Sequence, residues 1–309
     1  MLDKIYFIES KNTNPYRNLA AEEYLTRHVC EGECVLFLWQ NEKSVVVGKN
    51  QNIYAECDLK AMGQDGVHPV RRLSGGGAVY HDPGNLNFSF CVRSGDYDIE
   101  GQSEVILKAV NALGADAHRT GRNDLTVDGK KFSGHAFYKS GDNCCHHGTL
   151  LIDTDPCAIE KYLTPDSEKL AIKGIKSVKS RVMNLSDIVP GINTGSLSEK
   201  LVQSFSDTFG LPIIRIEEDS LDAGELQKKE NAFASEAFIY GENVTFTHRI
   251  KKRFPWGGVD ILLTVTDGII THVQTFSDCM DSDLPGDLNK RIEGRRYDEE
   301  DILSLLDRI

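Results

Sequence analysis

The chain has 309 residues, 40% of them hydrophobic and 27% charged, the make-up of a globular protein with room for one large and one small domain. Its net charge of −12 argues against nonspecific nucleic-acid binding, which needs a basic surface. No apolar run approaches the ~20 residues that span a bilayer, and Met1-Leu2-Asp3-Lys4 does not open a secretory signal, so a cytoplasmic protein without membrane attachment is expected.

In chain order, Lys4–Glu9 predicts an opening strand, and Asn14-Pro15 a helix start with Pro at the first helical position, running to about Cys30. Cys34–Gln40 and Ser44–Gly48 are β-rich runs across a polar turn, which predicts a hairpin. Asn52 predicts the cap of a short helix through Met62, ended by Gly63. Val67–Leu73 and Asn87–Val92 predict strands, and a helix is expected from about Gln102 to Leu113. Asp128-Gly129 predicts a hairpin turn, His147–Ile152 another strand, and Ser198–Phe209 a helix closing the first domain. Strands are expected again at Val244–Ile250, Val259–Thr266 and Ile269–Phe276, then helices near Leu284–Arg291 and Asp298–Leu306. The hairpins imply a mixed or antiparallel sheet rather than a doubly wound fold.

The most unusual segment is Arg71-Arg72-Leu73-Ser74-Gly75-Gly76-Gly77-Ala78-Val79-Tyr80-His81-Asp82. Three glycines in a row cost roughly 1 kcal/mol each relative to alanine in a regular element. They read either as a plain flexible turn or as a loop that brings backbone N–H groups to an anion. The flanking arginines favour the anion site. Neither the P-loop pattern nor G-x-G-x-x-G is present, so any nucleotide is held by another kind of loop. Lys130-Lys131 follows the Asp-Gly turn, and strand alternation turns the two side chains to opposite faces. Cys144-Cys145-His146-His147 could suggest a metal, but adjacent residues chelate one ion poorly and no second ligand pair sits at zinc spacing. A nucleophilic Cys beside a His is a second reading, and the lining of a pocket a third. None of the eight cysteines forms a C-x-x-C pair, so no zinc knuckle or dithiol is expected.

Taken in order, these segments resemble the lipoate–protein ligase A family. The resemblance rests on the Arg71–Asp82 segment, Gly121-Arg122-Asn123-Asp124-Leu125, Lys131-x-Ser133-Gly134-x-Ala136 and His146-His147-Gly148-Thr149-Leu150-Leu151. Lys173-Gly174-Ile175-x-Ser177-Val178-x-Ser180-Arg181-Val182 and Trp256-Gly257-Gly258-Val259 complete it. It implies an α+β fold like that of class II synthetases and biotin ligases: a mixed sheet flanked by helices over residues 1–241. A small C-terminal α/β accessory domain is implied over 242–309. It also implies a two-step reaction. Lipoic acid and ATP give lipoyl-AMP and pyrophosphate, and a lysine of an acceptor protein then takes the acyl group.

The acceptors implied are lipoyl domains of 2-oxoacid dehydrogenase E2 subunits or the glycine-cleavage H protein, met by a monomeric enzyme. The same resemblance gives ATP contacts to Arg72, Gly77, Ala78, Val79, Tyr80, Asn123, Asp124 and Lys131, and the catalytic role to Lys131. Lipoate contacts fall to Lys131, Ser74, Gly75, Gly76, His81, Gly134, His147 and Gly148, and Asp124 becomes the ligand for Mg²⁺. Two mechanistic alternatives remain at this point. One is an octanoyl- or lipoyltransferase of the same fold using Cys144 or Cys145 without ATP, the other a lipoate-binding relative without activity. A biotin ligase would carry a Gly-Arg-Gly-Arg-x-Gly-Arg type of loop, which the sequence lacks. Lys169, Lys173, Lys176, Lys179 and Arg181 suggest either a docking face for an acidic partner or a solvated surface.

Overall fold

In the computed structural model, residues 2–121, 123–164, 182–241 and 245–309 are described. The chain opens with strand β1 (Lys4–Glu9) and helix α1 (Pro15–His28). Asn14 caps α1 by accepting from the amides of Tyr16 and Arg17, and Pro15 takes the first helical position, where a missing N–H costs nothing. Strands β2 (Glu33–Trp39) and β3 (Ser44–Val47) follow, but they do not form the expected hairpin. β2 lies antiparallel to β6 (Asn85–Arg93) and parallel to β1. β3 joins a second, three-stranded sheet between β4 (His68–Arg71) and β5 (Val79–His81). The physical reason is burial: almost every residue of both strands is covered, so each needs neighbours on both faces.

The single helix expected from Asn52 is two. α2 (Ile53–Glu56) stops where Cys57 bridges to Leu163. Asp58 then recaps α3 (Leu59–Asp65), which ends on Gly66 at φ 66° rather than on Gly63.

After α4 (Ile99–Asn111) come β7 (His118–Thr120), β8 (Asp124–Val127), β9 (Lys130–Ser140) and β10 (Asn143–Leu151). The β8–β9 turn is Asp128-Gly129, both at positive φ (50° and 74°), as a primed hairpin turn requires. Helices α5 (Pro156–Tyr162) and α6 (Thr194–Phe209) follow, then β11 (Ile213–Arg215). The large sheet runs β11-β1-β2-β6-β10-β9-β8-β7. One face is closed by α4 and α6 over a core holding Phe88, Phe90, Phe205 and Cys144. On the other lie α1 and α7 (Ala223–Phe233), with Leu25, Phe37, Cys145 and Phe233 inside. α6 therefore does not end the catalytic part, since β11, α7 and α8 (Glu236–Tyr240) follow it.

The C-terminal part is a small domain of three antiparallel strands, β12 (His248–Phe254), β13 (Gly257–Thr266) and β14 (Ile269–Ser277). Helices α9 (Leu284–Ile292) and α10 (Glu299–Leu306) cover one face over a core including Ile261, Leu263, Leu288 and Leu306. Its boundary, expected at 241/242, adjoins residues outside the described ones. Among the described residues no helix is long and apolar enough to cross a membrane.

Candidate active site

Strand β4 delivers two arginines to the glycine bend, and they behave differently. Arg71 donates to the carbonyls of Phe238, Ile239, Gly48, Lys49 and Gln51, so it clamps backbone. Arg72 holds the bend itself. Its Nε donates to Ser74 Oγ (2.9 Å), one terminal nitrogen to Gly75 O (2.6 Å) and Gly77 O (2.9 Å), the other to Val46 O (3.2 Å). Burial lowers both guanidinium pKa values to about 10, so both stay charged at neutral pH.

Behind the bend runs a buried chain of polar contacts. Ser74 Oγ lies 2.7 Å from His147 Nε2, and His147 Nδ1 lies 2.7 Å from Glu22 Oε2, which also accepts from Ser89 Oγ at 2.5 Å. Burying a carboxylate in mid-helix is costly unless it is hydrogen-bonded, and this chain meets that need while fixing the back of the bend. Glu22 and Cys145 also place ligand-type atoms within 4.8 Å of those of His147. However, the His147–Glu22 contact is a hydrogen bond that already occupies the carboxylate.

β8 supplies Asp124 and β9 supplies Lys131, whose Nζ lies 2.6 Å from Asp124 Oδ1, while Lys130 is exposed. Gly134 lets the amine lie across β9, since a Cβ there would come within 2.6 Å of Lys131 Nζ. Arg72, Gly76, Gly77, Ala78, Val79, Tyr80 and His81, together with Asn123, Asp124, Lys131 and Gly134, border one cavity of about 1010 Å³. Leu19, Trp39, Val46, Leu151 and Ile159 give it an apolar lining, and Trp256 and Met280 of the small domain also border it. A hollow of this size with a few converging polar groups suits a ligand that is part fatty and part charged.

His147 and Gly148 also line the cavity. Ser74 and Gly75 do not form part of its wall in this structure. Ser74 is fully buried in the chain leading to Glu22, and Gly75 lies beneath the carbonyls of Cys279 and Met280. At Gly148 a Cβ would meet Gly134 O at 2.5 Å and Phe88 Cζ at 2.6 Å, so the glycine is required by packing. Gly148→Ala is expected to cost about 1–3 kcal/mol, as overpacked core positions do; an unchanged urea midpoint would contradict this.

Three other histidines are kept neutral. Burial, helped by Arg72, lowers His81 to about 3. His81 Nδ1 faces the Asn41 amide nitrogen at 3.2 Å, which can only donate, so the ring proton sits on Nε2. His146 Nδ1 donates to Gln102 Oε1, leaving its Nε2 to accept from His135 Nδ1, each at 2.9 Å. Burial lowers His135 to about 3, helped by Lys131, and also lowers His146 well below the ordinary histidine value, helped by His135.

Cys144 and Cys145 do not serve as nucleophiles here. Each is fully buried, one in the core on each face of the sheet, and burial raises both thiol pKa values, whereas a reactive cysteine needs a lowered one. Arg122, most of the Lys173–Val182 motif and the basic cluster Lys169–Arg181 lie outside the described residues. Glu22 and the Trp256–Met280 border escaped the sequence reading. The signal for Glu22 was a charged residue on the apolar face of α1, three positions from Leu19 and from Leu25.

The profile described as "Lipoyl protein ligase A/B catalytic domain" matches residues 14–206, and "Bacterial lipoate protein ligase C-terminus" matches 243–309. Lipoate-protein ligase A of Psychrobacter cryohalolentis is 37% identical over 99% of this chain and 93% of its own length. The crystal structure of P. falciparum LipL1 in complex with lipoate is similar at a TM-score of 0.85 and 33% identity, over 99% of this chain and 94% of that one. A lipoate-protein ligase A structure bound with ATP is similar at a TM-score of 0.68 and 25% identity, over 78% of this chain and 99% of that one. With both profiles and a near-full-length relative agreeing with the two-part fold and its glycine-bend cavity, the chain belongs to the lipoate–protein ligase A family, and is a ligase.

Proposed function

We propose that this enzyme uses ATP to convert lipoate to lipoyl-AMP and passes the acyl group to a lysine of a lipoyl domain or of the glycine-cleavage H protein. The observation that carries the reading is that Arg72, Gly76–Tyr80 and Lys131 border one cavity. In the first step a carboxylate oxygen bonds to the α-phosphorus and the bond to pyrophosphate breaks. Two anions must meet, so charge and donors already in place lower the barrier. Lys131 supplies the ammonium that bridges the acyl carboxylate and the α-phosphate. Arg72 adds positive charge and keeps the bend in shape by holding the carbonyls of Gly75 and Gly77.

In the second step the acceptor amine attacks the acyl carbon and AMP leaves. Asp124, ion-paired with Lys131, and Asn123, on the same cavity wall, would meet the phosphates. Asp124 fits a Mg²⁺ held by one protein carboxylate and completed by phosphate oxygens and water, in which case the ion would neutralise phosphate charge. The tail of lipoate fits the apolar lining of Leu19, Trp39 and Val46, with His81 and His147 beside it. The LipL1 structure with lipoate and the ligase structure with ATP support the two substrates. The buried thiols disfavour the cysteine-based transferase.

The test is a mass measurement. The protein is incubated with ATP, Mg²⁺, lipoate and a panel of apo lipoyl domains and H protein. The lipoyl increment should appear on an acceptor only when ATP is present. ATP-independent transfer, or no modified acceptor and no pyrophosphate, would sink the proposal.

A further inference from the structure

We infer that Asn41 is a positioning residue that holds His81 as a neutral N–H donor to the acyl oxygen of the substrate. The inference rests on the fatty-acid substrate of the reading above. The order of donors starts away from the cavity, at backbone groups that leave no choice. Asn18, fully buried on α1, turns its Nδ2 to the carbonyls of Gln40 (2.8 Å) and Asn12 (3.0 Å). Carbonyls only accept, so this end of the side chain is the amide nitrogen.

The same nitrogen donates to Asn41 Oδ1 at 2.9 Å. With its oxygen turned to Asn18, Asn41, also fully buried, presents Nδ2 to His81 Nδ1 at 3.2 Å. Nδ1 therefore accepts, and the proton of the neutral ring stays on Nε2. A second proton is opposed by burial and by the nearby charge of Arg72. His81 ends β5 and borders the cavity, with its ring 6.2 Å from that of Trp39. Its Nε2 is buried and has no hydrogen-bond partner among the described residues. A buried donor is costly until something accepts from it.

Beside the apolar ring of Trp39 and within the field of Arg72, the acceptor that fits this donor is an oxygen at the head of a fatty chain. Sulfur accepts only weakly. A carboxylate oxygen before adenylation and a carbonyl oxygen after it both accept with no change in the ring. A ring carrying its proton on Nδ1 would instead turn a lone pair to that oxygen and repel it. Asn41 is not among the residues that line the cavity. Its effect on the substrate runs through the proton that it keeps off Nδ1.

The test is Asn41→Asp in the full-length protein at about pH 8, far above the value of about 3 to which burial lowers His81. The carboxylate keeps the shape and still accepts from Asn18, but it cannot donate, so the His81 proton should move to Nδ1. Nitrogen NMR of histidine-labelled protein, with His81 assigned by its loss in His81→Asn, should show Nε2–H in the wild type and Nδ1–H in the variant. Calorimetric titration without the second substrate should show lipoate and octanoate each bound about tenfold more weakly by the variant, the scale of one hydrogen bond, and ATP bound as before. Nδ1–H or a doubly protonated ring in the wild type overturns the inference even if the variant does not fold. So does a proton that stays on Nε2 in the variant, or an unchanged lipoate affinity once it has moved. A loss shared with ATP, or one confined to lipoate and so tied to its sulfurs, overturns it too. Because binding is read without chemistry, a wild type that binds lipoate but releases no pyrophosphate refutes the two-step reading alone.

Discussion

Lys131→Ala is expected to slow formation of lipoyl-AMP by about 10²–10³-fold, the usual loss for one preorganised donor at a developing charge. The lysine borders the same cavity as the glycine bend, ion-paired to Asp124 and laid over Gly134, so on the proposed reading a neutral truncation removes the ammonium and leaves the carboxylate beside the phosphates. Two like charges would then meet where one was balanced. Lys130→Ala, one residue away but exposed, should be much milder. Pyrophosphate release with the acceptor omitted isolates the step. Near-wild-type adenylation by Lys131→Ala would remove the assigned role.

The second large effect is on stability in acid. His81, His135 and His146 are buried and neutral, with pKa values lowered to about 3 for the first two and well below the ordinary histidine value for the third. In the unfolded chain each has a pKa of 6.5, so below that value, and down to about 3 for His81 and His135, the unfolded state binds more protons. Stability from these groups is therefore complete above pH 6.5 and is lost as pH falls below it. At pH 5 the loss amounts to about 2 kcal/mol for each of His81 and His135. The two together, with His146 adding in the same sense, approach the low end of the total stability of ~5–15 kcal/mol of an ordinary domain. Denaturant midpoints should fall steeply between pH 7 and 5, and His135→Asn should flatten the slope. Equal midpoints at the two pH values would refute the buried-neutral assignment.

Much of this was legible in the residues. The Asn14-Pro15 helix start, the Asp-Gly turn at 128–129, and the inward and outward lysines after it are local features. They depend on capping, positive φ and strand alternation alone. The separation of β2 from β3 was not legible, because a short polar turn between two apolar strands looks the same whether the chain reverses or changes sheet. The two arginines look alike in sequence, and only the backbone carbonyls around them show that one clamps and the other shapes the bend. Glu22 reaches His147 across 125 positions, a contact that no local periodicity encodes. The need for Gly75 beneath the carbonyls of Cys279 and Met280 was hidden for the same reason, since it comes from the far end of the chain.

The placement of β11 has a consequence for biosynthesis. This edge strand pairs in parallel with β1, Ile5 against Ile213, so the first strand made waits for more than two hundred residues before its outer partner arrives. Until then β1 offers an open row of amides and carbonyls to other chains. Contacts of such long range also slow folding. Nascent chains arrested before residue 213 should therefore be the aggregation-prone species during synthesis, and rescue should begin once that short strand has left the ribosome.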